Sequence, residues 1–155
     1  MAIFKAADVI ELALELEKSG EVFYRAVAEK SKNPQVKALF EDLAQQEVYH
    51  YQAFQQLGNT VWDTPFIAPD SWQEYLGYLQ ATVQSAFFQG QGKALSEAES
   101  VQDEKEAIRM AIGFEKETLL FFHDLKDMVP PGEIDTVNRI INEEKAHLRR
   151  LAAML

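Results

Sequence analysis

Residues 144–147 read Glu144-Lys145-Ala146-His147, and residues 47–50 read Glu47-Val48-Tyr49-His50. The same Glu-x-x-His pattern thus occurs twice. On a helix, residues three apart share a face, so each motif presents a carboxylate and an imidazole in one direction. If both motifs face a common core, two oxygen and two nitrogen ligands are aimed at one place. The sequence around them decides whether they do.

Apolar residues flank both motifs at helical spacing. From Pro34 to Leu57 the stripe is Val36, Leu39, Phe40, Leu43, Phe54 and Leu57, with Glu47 and His50 inside it and Gly58-Asn59 predicted as the C-cap. From Glu133 to Leu155 it is Ile134, Val137, Ile141, Leu148, Leu151 and Met154, with Glu144 and His147 inside it. A further long helix precedes each. The first runs from about Ile3 to Ser31 on Ile10, Ala13, Leu14, Tyr24, Val27 and Ala28, and Asn33-Pro34 separates it from the next. The other runs from Asp103 to Val129 on Ile108, Ala111, Leu119, Phe122 and Leu125. Asp103 and Glu106 form a near capping box at its start, and Pro130-Pro131-Gly132 stops it.

Between the pairs, Thr60 to Ser71 reads as a loop containing Pro65 and Pro69. Ser71 to Gln89 reads as a shorter helix, N-capped by Asp70 or Ser71 and rich in aromatics (Trp72, Tyr75, Tyr78, Phe87, Phe88). Gly90-Gln91-Gly92 and the polar run Ser96 to Gln102 predict a second break with a short helical turn inside it. No stretch reads as a strand. The expectation is an all-α four-helix bundle in one domain, residues 1–155. It is built of two antiparallel hairpins joined by a long crossover containing a shorter helix.

The hairpins are weak repeats of one another. Glu17 falls on Glu115 and Tyr24 on Phe122 at an offset of 98; after a one-residue deletion in the turn, Glu47 falls on Glu144 and His50 on His147 at an offset of 97. Each half therefore carries a Glu on its first helix and Glu-x-x-His on its second. All six residues lie on the apolar stripes. A lone Glu-x-x-His is common on a solvated helix face, and a single Glu also fits the rim of a stripe. Two motifs, two further Glu and a shared inward phase are a different matter. Four buried carboxylates carry a severe desolvation cost unless compensated. Two divalent cations compensate in charge, +4 against −4, while two neutral imidazoles add nothing. Oxygen-rich ligation with one nitrogen per metal suits iron or manganese better than structural zinc. One Glu from each of two helices and Glu-x-x-His from each of the others is a two-metal arrangement of helical bundles. The expected ligands are Glu17, Glu47, His50, Glu115, Glu144 and His147. Tyr24 is either a core aromatic or a donor to a carboxylate ligand on a neighbouring helix. Glu143 falls off the stripe and His123 points elsewhere; both are expected at the surface.

Bulk properties narrow the function classes. A formal charge of −10 disfavours a nucleic-acid or anionic-membrane partner. The absence of cysteine excludes disulfides, iron–sulfur clusters and thiol nucleophiles in this chain, and is compatible with a reducing compartment. Acids at Asp8, Glu11 and Glu15 interrupt what a signal peptide would need, and no apolar run approaches a membrane span, so a cytoplasmic protein is expected.

Glu17-x6-Tyr24, Glu47-x-x-His50, Glu115-x6-Phe122 and Glu144-x-x-His147 resemble the rubrerythrin branch of the ferritin-like superfamily over nearly the whole chain. The resemblance implies a ferritin-like bundle holding two iron ions, with manganese or a mixed pair as alternatives. It implies reduction of hydrogen peroxide or oxygen, with Tyr24 a candidate proton donor. Homodimerisation or higher assembly is implied as well. Two departures stand out. Rubrerythrins carry a four-cysteine iron module, and this chain has no cysteine, so redox turnover requires an external electron-donor protein. Rubrerythrins also have an extra Glu one turn after the third-helix ligand, where this chain has Thr118, its repeat mate being Gly20. The alternatives are ferroxidase or iron-binding activity in iron handling, and a structural bundle with a vestigial site.

Overall fold

Two turns set the hairpins. Asn33 is extended, and its side-chain oxygen accepts from the Gln35 and Val36 amides, with Pro34 at the first helical position. At the other hairpin's start, Asp103 is extended and accepts from the Glu106 amide. The Glu106 carboxylate returns to the Gln102 amide rather than to that of Asp103, so the capping box is offset by one residue. Glu104 joins the two ends, its Oε1 accepting from Ser31 Oγ at 2.6 Å, Asn33 N at 3.0 Å and Lys32 N at 3.1 Å.

The computed structural model describes residues 6–59, 69–85 and 90–155. Its elements are α1 (Ala6–Lys30), α2 (Pro34–Gly58), α3 (Pro69–Ser85), α4 (Gln91–Ser100), α5 (Glu104–Lys126), a single 3-10 turn at Pro131–Glu133, and α6 (Ile134–Ala153). There is no strand among the described residues. Helix α1 packs along α2 and α5 along α6, α1 also meeting α5 and α2 meeting α6, which closes the four-helix bundle. No helix is long and apolar enough to cross a membrane among the described residues.

The crossover differs from the sequence expectation. The polar run does not break the chain: residues 91–100 form the ten-residue helix α4, lying along α1. Its buried face is only Ala94 and Ala98, one turn apart, too small a stripe to register against Ser, Glu and Lys. Helix α3 begins at Pro69, so Asp70 and Ser71 lie within it rather than capping it. Its Leu79 is fully buried, and Tyr75 donates to the Asp124 carbonyl of α5. Most of the Thr60–Ser71 loop, with Phe87 and Phe88, lies outside the described residues.

Because α1 is covered by α2, α4 and α5, its buried surface is wider than one stripe and takes in Val9, Leu16 and Phe23. Gly58 closes α2 without left-handed backbone; Gly90, at φ 84°, is the one positive-φ residue described. At Gly20 the constraint is space. A Cβ there would lie 2.8 Å from Phe114 Cε1 and 3.3 Å from Glu47 Cδ. Gly20→Ala gains helix propensity but overpacks this crossing, and a net loss of about 1–3 kcal/mol is expected by denaturant titration. Unchanged or increased stability would show that Phe114 moves aside freely.

Candidate metal centre

Four helices contribute to one buried cluster. Glu17 comes from α1, Glu47 and His50 from α2, Glu115 from α5, and Glu144 and His147 from α6; none is more than 3% exposed. The structure therefore brings together all six residues singled out from the sequence. His50 Nδ1 lies 2.9 Å from Glu144 Oε1, 3.6 Å from Glu17 Oε2 and 4.0 Å from Glu47 Oε2. His147 Nδ1 lies 2.8 Å from Glu144 Oε2, 3.6 Å from Glu115 Oε1 and 3.9 Å from Glu47 Oε1. The sequence repeat has become a spatial one. The two imidazoles stack at 5.5 Å with their planes 20° apart.

Ligand atoms fall into two overlapping groups, each lying within 4.8 Å of one another: Glu17, Glu47, His50 and Glu144, and Glu47, Glu115, Glu144 and His147. Glu47 and Glu144 belong to both. A cation in each group would share these two carboxylates and keep one Glu and one His of its own. The donor set fits two hard-to-borderline divalent ions. So does its lack of internal satisfaction. Both oxygens of Glu17, Glu47 Oε1 and Glu115 Oε2 are buried without a hydrogen-bond partner. That many orphaned acceptors in a native core calls for a bound ion.

Where no ion is bound, protons offset the charge. Burial raises the Glu17 and Glu47 carboxyls well above the usual range, and the charge of Glu144 adds to it. Burial and Glu144 raise Glu115 to about 8. Burial opposes charging both imidazoles, but neighbouring carboxylates outweigh it. Led by Glu144 they bring His50 to about 10, and led by Glu115 and Glu144 they bring His147 to about 10. Glu144 is itself held low, since the two imidazoles outweigh its burial.

Tyr24 is fully buried among Phe23, Phe40 and Phe114, and its hydroxyl donates to Glu115 Oε1 on α5. Burial, reinforced by the Glu115 charge, raises the phenol well above 10, so it keeps its proton. Its repeat mate Phe122 instead packs on Phe54 at 4.8 Å. His123 is exposed, as expected. Glu143 is the residue sequence reasoning missed. Its side chain is 41% exposed, yet its Oε2 lies 2.7 Å from His50 Nε2. The only signal was its place beside Glu144, which says nothing of a partner on another helix. Thr118 is buried with its hydroxyl unpartnered.

The family model for rubrerythrin matches residues 8–155. Among solved structures, the chain is similar to a Thermotoga maritima protein described as ferritin-like and diiron-carboxylate. The likeness has 28% identity and a TM-score of 0.69, covering 99% of this chain and 96% of that one. No curated protein matches the chain.

The raised values set a pH dependence. Groups whose folded pKa exceeds the unfolded value bind more protons folded than unfolded, so stability falls as pH rises between the two values. For Glu17, Glu47 and Glu115 this begins near the ordinary carboxyl value of 4.5, and for the imidazoles it runs from 6.5 to about 10. Glu144, shifted the other way, contributes stability that is lost only below that range. Chelator-treated protein is therefore expected to lose thermal stability steadily from pH 5 to 9, whereas a divalent ion, by displacing those protons from the folded state alone, reverses the slope so that stability rises with pH up to about 7. A metal-free melting temperature that is flat over this range would contradict the assignment.

Proposed function

The chain belongs to the rubrerythrin family, and from that membership we propose that it is a non-haem di-iron oxidoreductase. It reduces hydrogen peroxide or oxygen with electrons from a separate donor protein. The observation that supports this most is the cluster of four carboxylates and two imidazoles, buried, charge-matched to two divalent ions and short of hydrogen-bond partners. Iron is the proposed metal, because oxygen-rich ligation with one imidazole per ion suits it.

The bound pair would supply one-electron redox steps and Lewis-acid sites at adjacent positions. The polypeptide does the rest. Glu47 and Glu144 tie the two positions together, while Glu17 with His50 and Glu115 with His147 complete each. Burial limits access to small molecules and keeps the charged groups in a medium where their interactions are strong. Tyr24 donates to Glu115 Oε1, the oxygen 3.6 Å from His147 Nδ1, and so holds that carboxylate against the cluster. With its proton retained at Oη, it orients that carboxylate and is a phenol from which a proton could pass to a reduced oxygen. Reducing one peroxide to water takes two electrons and two protons. This chain has no cysteine to carry a second redox centre of the iron–sulfur type, so the electrons come from another protein.

Metal analysis of protein from its own host is expected to find two iron ions per chain. Rapid mixing of the reduced form with peroxide, and separately with oxygen, is expected to oxidise it quickly with at least one of them. Slow oxidation by both sinks the proposal, and iron well beyond two per chain favours iron handling instead. Tyr24→Phe is expected to retain both ions while slowing oxidation about 10–100-fold, the usual effect of removing a hydrogen bond to a ligand. An unchanged rate would leave Tyr24 as a core aromatic only.

A further inference from the structure

Both histidines turn Nδ1 toward the carboxylates, so each would bind a cation through Nδ1 and must carry its proton on Nε2. At His50 that proton has an acceptor, the Glu143 carboxylate 2.7 Å away. At His147, among the described residues, no carboxylate lies within reach of Nε2; all its acidic contacts are made by Nδ1. The repeat explains the difference. At the offset of 97 that superimposes the two motifs, Glu143 falls on position 46 (143 − 97), which is Gln46, a neutral amide.

We propose that Glu143 is a positioning residue that makes the two metal positions unequal, so that the one containing His50 fills first. The proposal rests on the two-metal reading above. Accepting from Nε2, Glu143 fixes the ring's orientation and tautomer and makes Nδ1 a better donor before any ion arrives. His147 has to be ordered by the ion itself. Because the Glu143 side chain is 41% exposed, replacing it removes little packing.

The test is a stepwise titration of chelator-treated protein with zinc(II), followed by calorimetry and by imidazole nitrogen NMR. Wild-type protein is expected to bind two ions with resolved affinities, His50 resonances shifting in the first equivalent and His147 resonances in the second. Glu143→Ala is expected to weaken the first step about 10–100-fold, leave the second within a few-fold, and bring the steps together or reverse them. Glu143→Gln, which keeps an acceptor without the charge, is expected to fall between. The circular dichroism of each variant should match that of the wild type. Filling of the His147 position first, or equal effects of Glu143→Ala on both steps, overturns the proposal while leaving the two-metal reading intact. Wild-type protein that takes up no ion overturns both.

Discussion

Four carboxylates in one hydrophobic core are the constraint on which this protein depends. A single unpaired charge of that kind costs several kcal/mol, and four within a few ångströms repel one another as well. The rest of the architecture meets that cost. Four helices are needed to bring the six groups inward from different directions, and each must be long enough to bury apolar residues on both sides of its ligand. Phe40, Leu43 and Phe54 do this on α2, and Ile140, Ile141 and Leu151 on α6. The core is apolar at its ends and acidic at its middle, an arrangement that is stable when the middle is neutralised.

The bundle is a repeat whose symmetry is kept at the ligands and broken around them. The approaches of the two imidazoles to the three carboxylates around each agree within about 0.1 Å. One shell further out the halves diverge. Tyr24 donates to a ligand where Phe122 packs on Phe54, and Glu143 holds His50 where the repeat has Gln46. Gly20 leaves room for Phe114 and Glu47 where the other half has the buried hydroxyl of Thr118. Identical ligands in different surroundings bind and titrate differently, because hydrogen bonds to a ligand tune it nearly as much as the ligand's identity does.

Much of this was legible beforehand, for reasons that lie in particular residues. The long helices announced themselves because Val36, Leu39, Phe40 and Leu43, or Val137 and Ile141, are large and periodic. Asn33-Pro34 and Asp103 are cap residues whose chemistry is local. The six clustered residues were readable because they are polar residues at apolar phase, repeated in both halves. Helix α4 was not readable, since two alanines among polar residues give little amplitude to any pattern. The crossover aromatics Tyr75 and Tyr78 were ambiguous because the sequence does not say that both reach Asp124 on α5.

The sequence by itself determined the four long helices, their pairing, and the kinds and spacing of the residues that cluster between them, all of which follow from contacts within about one helical turn or from the repeat. Only the tertiary structure decided which groups meet across helices. It showed that Glu47 and Glu144 belong to both groups of converging side chains while Glu17 and Glu115 each belong to one, that Tyr24 reaches Glu115, and that Glu143 turns to His50. Such pairs are separated by 91 and 93 residues in sequence. Their meeting depends on how far each helix is rotated about its axis and shifted along its neighbour. A periodic pattern specifies the buried face of a helix, but the packing of whole side chains sets rotation and shift to the ångström that a hydrogen bond requires.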